Sequence, residues 1–475
     1  MVTRYQEKAE AFFLSPFFML ICVAVGWFGI FGGDDAVMPS LTVNGLLFGL
    51  ALLFCRHFSC GMMPYLSVIA VGGQLMSKWT DILPYLPWGI PIAVCLVYHF
   101  VRYPKKIQCG HSYRGVLAAA LAIMLGGLFS ADKSEMLNPA AIYHYLGLSI
   151  LLLVLYLVYA ADYKMQDAEQ AQEHFLWCVL FMGVLCAAIV FKNGLVWWEN
   201  RGNTSFYNNW FASRNTIANL LLMCIPVPFY FAKKQGRAYS RLFCFLLGLC
   251  FYIASLFTTA RTALVFGTVL VVLCLGYFYY GKRDIPFKLV TALVSVAFLA
   301  VALSLFCDLL LDIIPTKYDD AFTLYKPNEA RVKLFFQSLA DFAARPLFGV
   351  GIAPVNDILK NPMGCIRWYH LYFPQIWGSM GLFGCFAYLY QGYLRYQLAT
   401  YRPTAKSAAL VLCYVGLFLY SQTDPGVFIT LPFGHFAVIL FILLEGRYEK
   451  DLSHSPLVKG RGFLSGYLDE VKSLK

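Results

Sequence analysis

The chain has 475 residues, 60% of them hydrophobic and 13% charged, and its mean hydropathy is +0.63. Soluble domains carry roughly 25% charged residues, which excludes a string of ordinary soluble domains. The net charge of +11 is spread between apolar runs and makes no case for nucleic acid.

Apolar runs near the length that crosses a bilayer, about 20 residues, recur from end to end. The first of them, 11–31, has no small-residue cleavage site behind it and is expected to be a span, not a cleaved leader. Hydropathy places about 14 spans, at 12–31, 43–55, 62–76, 84–101, 115–130, 141–160, 174–191, 215–232, 242–258, 263–280, 287–307, 370–391, 407–422 and 428–446. The expected fold is an all-α polytopic membrane protein of about 12–14 transmembrane helices.

With both termini in the cytoplasm, the inner segments hold about 24 Lys and Arg against about 12 Asp and Glu. The outer segments hold about 13 against about 14. The basic excess therefore sets topology. Its partners are the acidic lipid head groups of the inner leaflet, near Arg102, Lys105, Lys106, Lys233, Lys234, Arg237 and Arg241. The expected location is the cytoplasmic (inner) membrane, crossed many times. The 15 cysteines lie mostly in spans, where Cys acts as a small hydrophobe, and none has the Cys-x-x-Cys spacing of a metal site.

Asp34 and Asp35 follow the first span in FGGDDAV, as a plain acidic loop or as a carboxylate pair for chemistry. The first six spans are joined by short loops, so 1–191 is expected to be an N-terminal transmembrane scaffold. Two longer outer segments then break the pattern. The first is KNGLVWWENRGNTSFYNNWFASRN, 192–215. Its Trp197, Trp198 and Trp210 suit either an interfacial belt or stacking on sugar rings.

The second outer segment, 308–369, has about 60 residues, far above ordinary loop length, which points to function. Within it, PNEARVKLFFQSLADFAARPLFGVG predicts an amphipathic helix on the outer membrane surface. Asn328 is placed to cap it, Glu329 suits the first turn, and Phe335, Leu339 and Phe342 share a face. Pro346 ends the run, and Gly349-Val350-Gly351 turns the chain. After 446 the polar, basic stretch 447–475 is expected to be a cytoplasmic tail.

Three residues now share one side of the predicted topology. Arg261, in TTARTALVFG, lies at an outer lip, Arg331 on the surface helix, and His370 at the mouth of the next span, with Arg367 one turn before it. A guanidinium fork fits phosphate oxygens in two places at once. A histidine titrates near neutrality and takes a proton from a hydroxyl. The set suits displacement of a lipid diphosphate by a sugar hydroxyl, with the arginines offsetting the leaving-group charge and no metal required.

At these residues the sequence resembles the O-antigen ligase and O-antigen polymerase superfamily. TTARTALVFG is similar to the family's Ser/Thr-rich segment ending in Arg before an apolar span. NEARVKLFFQSLADFAARPLFGVG is similar to its Arg, amphipathic run, Pro and Gly-x-Gly turn. HLYFPQIWGSMGLFGCFAYL is similar to its His-led span. The resemblance runs from about residue 203 to 442 and implies a ligase- or polymerase-like membrane domain at 192–446, including the outer loop 308–369. It implies inverting, metal-independent transfer of a glycan from undecaprenyl diphosphate to an acceptor on a glycan, lipid or protein, with no cofactor. By the same resemblance Arg261 and Arg331 bind the diphosphate, Arg367 and Arg214 are further candidates, and His370 acts on the acceptor hydroxyl.

The chain departs from the family in its WYHLYFP setting of the histidine, where Pro374 is expected to kink or end the first turn. Two other readings fit parts of the sequence. One is a lipid-linked glycan flippase or other transporter. The other is a polyprenyl-phosphate-dependent glycosyltransferase using Asp34 or Asp35.

Overall fold

The structure, a computed structural model, describes residues 4–75, 89–128, 142, 145–199, 214–234, 236–258, 260–280, 284–305, 327–352, 368–424, 426–428 and 430–454. Among them there is no strand, and the chain is an all-α polytopic membrane protein. In chain order the helices are α1 Arg4–Phe13, α2 Pro16–Phe31, α3 Asp34–Phe54, α4 Met62–Gly72, α5 Gly89–Arg102, α6 Tyr113–Leu125, α7 Leu151–Tyr163 and α8 Ala168–Glu199. There follow α9 Arg214–Cys224, α10 Pro226–Lys234, α11 Ala238–Phe257, α12 Arg261–Tyr279, α13 Ile285–Leu305, α14 Pro327–Ala344, α15 Tyr372–Thr400, α16 Ala405–Ser421 and α17 His435–His454.

Six stretches among the described residues are long and apolar enough to cross a membrane: Asp35–Phe54, Leu146–Tyr163, Ala168–Gly194, Asn215–Lys234, Ala238–Phe257 and Thr262–Tyr279. The pair α1–α2, bent by 52°, makes a seventh if taken as one span. The bend has a local cause: Ser15 caps α2 by accepting from the Phe18 N–H, and Pro16 takes the first helical position, where no backbone donor is needed. Other apolar helices, among them Phe58–Gly72, Tyr113–Leu125 and Ala405–Ser421, are shorter. The stretch expected to cross at 43–55 is the second half of a longer helix that starts at Asp34. Asp34 and Asp35 thus open a helix, where a negative charge suits the macrodipole. The expected tail at 447–475 is helical as far as His454 and then lies outside the described residues.

Asn215–Lys234 is the centre of the bundle, with 89% of its apolar window buried. Helices α8, α11, α12 and α16 pack around it. One large apolar cluster fills this middle, and a second, smaller one gathers Ile123, Ile352, Trp368, Tyr372, Met380 and Phe428 at one end.

The opposite end is tied by buried charge. The Asp162 carboxylate is fully buried and accepts from the backbone N–H groups of Phe58 and Ser59, each at 2.9 Å, from Gln166 Nε2 at 3.0 Å, and from Lys105 Nζ. Lys105 Nζ also lies 3.1 Å from His99 Nε2, whose Nδ1 is 2.8 Å from the Leu52 carbonyl. Glu445, also fully buried, accepts from Tyr156 Oη at 2.7 Å and from the Ser112 N–H, with Lys164 Nζ 3.6 Å away. An ion satisfied on every side can stay inside, whereas a lone one cannot.

Candidate functional site

The chain enters α15 through three residues of unlike backbone. His370 has φ 57°, in the left-handed region that non-glycine residues seldom occupy. Leu371 is extended, and the first helical bond runs from the Gln375 N–H to the Leu371 carbonyl at 2.9 Å. Tyr369 sets the position of this turn. It is fully buried against Leu334, its N–H donates to Gln375 Oε1 at 3.1 Å, and its hydroxyl donates to Asp341 Oδ2. Gln375 in turn donates to Ser379 Oγ at 3.0 Å. His370 is left half-buried, with the Trp368 ring 6.1 Å from its own.

Pro374 neither ends nor kinks this helix. It occupies the first turn, where no intrahelical acceptor exists for the missing N–H. The break falls at Gly381, with φ 62° and ψ −153°, a conformation that only glycine adopts readily. The expected turn at Gly349-Val350-Gly351 docks on that break. The N–H groups of Val350 and Gly351 donate to the Gly378 and Ser379 carbonyls at 3.1 and 2.9 Å. Leu382 and Phe383 donate back to the Pro346 and Leu347 carbonyls at 2.7 and 3.0 Å. Backbone groups freed by the interruption are therefore satisfied by a neighbouring segment, as a membrane interior requires. At Gly378 any side chain would meet the Tyr369 ring, 2.9 Å from an added Cβ.

The amphipathic helix is α14, but its buried face differs from the expected one. Leu334, Ser338 and Asp341 face inward, whereas Leu339 is exposed and Phe335 and Phe342 are only half-buried. The cause is polar. Trp377 Nε1 donates to Ser338 Oγ at 2.9 Å, and Asp341 takes Tyr369 on one oxygen and Gln337 on the other, the latter at 3.0 Å. The helix that carries Arg331 is thus locked to the helix that His370 precedes.

Two more helices start at the same end. Arg261 is the first residue of α12 and Arg214 the first of α9. The helices they open both reach the short turn Gly426–Phe428 or the residues just before it. The Thr262 and Thr423 hydroxyls share a hydrogen bond of 2.6 Å. Gly426 lies against Asn219 of α9, and the Phe428 ring is 6.5 Å from that of Trp368. Asn219 of α9, the start of α12 and the approach to α15 therefore surround this turn and the residues just before it. A helix start carries the positive end of the macrodipole, and a cation there adds to that field instead of offsetting it. Such a cost, about 0.3–1 kcal/mol per site, makes sense where an anion is to be held.

Trp197 and Trp198 fall in the last turn of α8. Arg367 and Trp210 lie outside the described residues. Among those described, no group of three or more His, Cys, Asp or Glu is placed to hold a metal ion. Asp341, Tyr369, Gln375 and Asn219 were not marked by the sequence. For Asp341 a signal existed, since it follows Leu334 and Ser338 at steps of four and three.

Comparison with known proteins brings one family forward. Residues 242–389 match the family model of the O-antigen ligases. That stretch holds Arg261, Arg331, Arg367 and His370, and it stops short of Arg214 and the three tryptophans. No curated protein gives a significant match to the chain.

Proposed function

Taking membership of the O-antigen ligase superfamily, carried by the match at 242–389, as the premise, we propose that this chain moves a glycan from undecaprenyl diphosphate to an acceptor hydroxyl. That family supports a membrane enzyme of the ligase or polymerase type. The finer reading rests on one observation: α9 at Asn219, the start of α12 and the His370 turn meet around residues 423–428, with α14 locked alongside.

In this reading Arg261 and Arg331, with Arg214 and Arg367 beside them, hold the diphosphate. Their charge and the two helix starts stabilise the anion that leaves. The acceptor oxygen attacks the anomeric carbon from the face opposite the diphosphate. The new C–O bond forms as the old C–O bond to phosphate breaks, and the configuration inverts. His370 takes the acceptor's proton, and undecaprenyl diphosphate departs with the electron pair of the broken bond. The end opposite the site holds Lys105, Lys164, Lys234 and Lys406, which supports a cytoplasmic placement for that end and an outer-face site in the inner membrane.

The test is the surface glycan of a deletion strain, run on a gel beside strains rescued with wild type or His370→Ala. Single repeat units on their usual acceptor identify a polymerase. Full-length chains held on undecaprenyl diphosphate identify a ligase. An unchanged pattern in the deletion strain defeats both.

A further inference from the structure

We propose that Asn219 reads the sugar: its side-chain amide takes a hydroxyl or acetamido group of the glycan next to the diphosphate. This deepens the functional reading above and rests on it. Asn219 lies on α9, five residues past Arg214, and is 0% exposed. Among the described residues, neither its Nδ2 nor its Oδ1 has a hydrogen-bond partner. Buried amides are nearly always paired, and leaving both ends unmet lowers stability relative to an apolar side chain of the same size. Asn44, elsewhere in the bundle, is half met: its Nδ2 is bonded to the Ser40 carbonyl, and only its Oδ1 has no partner among the described residues.

The surroundings say what such an amide is for. A Cβ added to Gly426 would stand 2.6 Å from Asn219 Nδ2, so the amide lies directly under the Gly426–Phe428 turn. That turn joins the three helix approaches of the site. Its Phe428 ring touches Trp368, and the Trp368 ring lies beside His370. The Thr262–Thr423 hydrogen bond ties the start of α12 to the residues just before it.

The chemistry of the amide narrows its partner. Nδ2 donates and Oδ1 accepts, so the matching group must do both. An ionised phosphate oxygen only accepts, and the arginines are its natural partners. A sugar hydroxyl, or an acetamido group, does both. The turn Gly426–Phe428 covers the amide and is the piece that has to lift when glycan enters. Gly426, with no side chain, lets it close down on Asn219 when glycan leaves.

The experiment uses full-length protein in nanodiscs and two probes. One is undecaprenyl diphosphate with no sugar. The other is the glycan-bearing undecaprenyl diphosphate extracted from a deletion strain. Asn219→Leu is expected to melt at a higher temperature than wild type, to bind the sugarless probe equally well, and to bind the glycan-bearing probe about tenfold more weakly. Asn219→Ala serves the same comparison should the leucine variant fail to insert. Equal binding of the glycan-bearing probe by wild type and variant overturns the proposal. So does an equal loss for both probes, which would give the amide a role in the fold alone. Wild-type protein that binds neither probe instead defeats the functional reading itself, and that result is visible without any variant.

Discussion

The two ends of this bundle are closed by opposite means. At one end, carboxylates buried beside lysines and histidines join α3, α5, α7 and α17, and each charge is answered by another protein group. At the other end the closure is mostly backbone, with glycines allowing the segment 346–351 to lie on the break in α15. The side chains that help are mostly uncharged: Trp377 to Ser338, Gln375 to Ser379, and Tyr369 to Asp341. Charge spent on holding a fold has no capacity left for a substrate. An end closed by amides and glycines can gather helix starts and cationic positions for use on something else.

This contrast can be broken by variants at either end. The largest expected effect is on turnover: His370→Ala should lower glycan transfer by about 10²–10⁴-fold, the range for losing a positioned base. Its membrane level and melting temperature should match wild type, and a fall in either would give His370 a structural part. Next is Asp162→Ala, which leaves Lys105 buried without its carboxylate and should cost about 3–5 kcal/mol of stability. Transfer per folded molecule should stay unchanged, and a specific loss of rate would link the two ends. Gly381→Ala comes third. It forces an alanine into a glycine conformation against the Gly349 backbone, 2.6 Å from its Cβ, and should cost about 1–3 kcal/mol. Unlike Asp162→Ala it should also slow transfer, because it loosens α14 from α15. The smallest effect belongs to Lys406→Ala. Its partners Glu169 and Glu173 lie at 2.9 and 3.4 Å, but Glu169 is mostly exposed, so the change should be under about 1 kcal/mol by thermal melting.

Much of the site end was legible in the sequence for a physical reason. Helix starts and glycine turns are local, so Arg261, the helix holding Arg331 and the Gly349–Gly351 turn could be placed from neighbouring residues alone. Apolar spacing points to the wrong face of α14, because a tryptophan N–H and a tyrosine hydroxyl select the polar stripe Ser338–Asp341. In α15 the more conspicuous residue, Pro374, is not where the helix breaks. A proline in the first turn gives up nothing, whereas the break at Gly381 is made by backbone partners 28 to 36 residues earlier in the chain. The ion-paired end was hidden altogether. Asp162 meets residues 57 and 104 positions away, and nothing local marks a carboxylate that will be buried.

One feature of the docked segment reaches beyond its own contacts. Ile352 and Trp368 belong to the same apolar cluster, and the Ile352 N–H is held by Tyr145 Oη at 3.3 Å. The docked segment and the approach to His370 are therefore pinned to one another, although 16 positions separate Ile352 from Trp368. A change that shifts the break in α15 would therefore be felt at His370, as a frame out of true is felt at the latch.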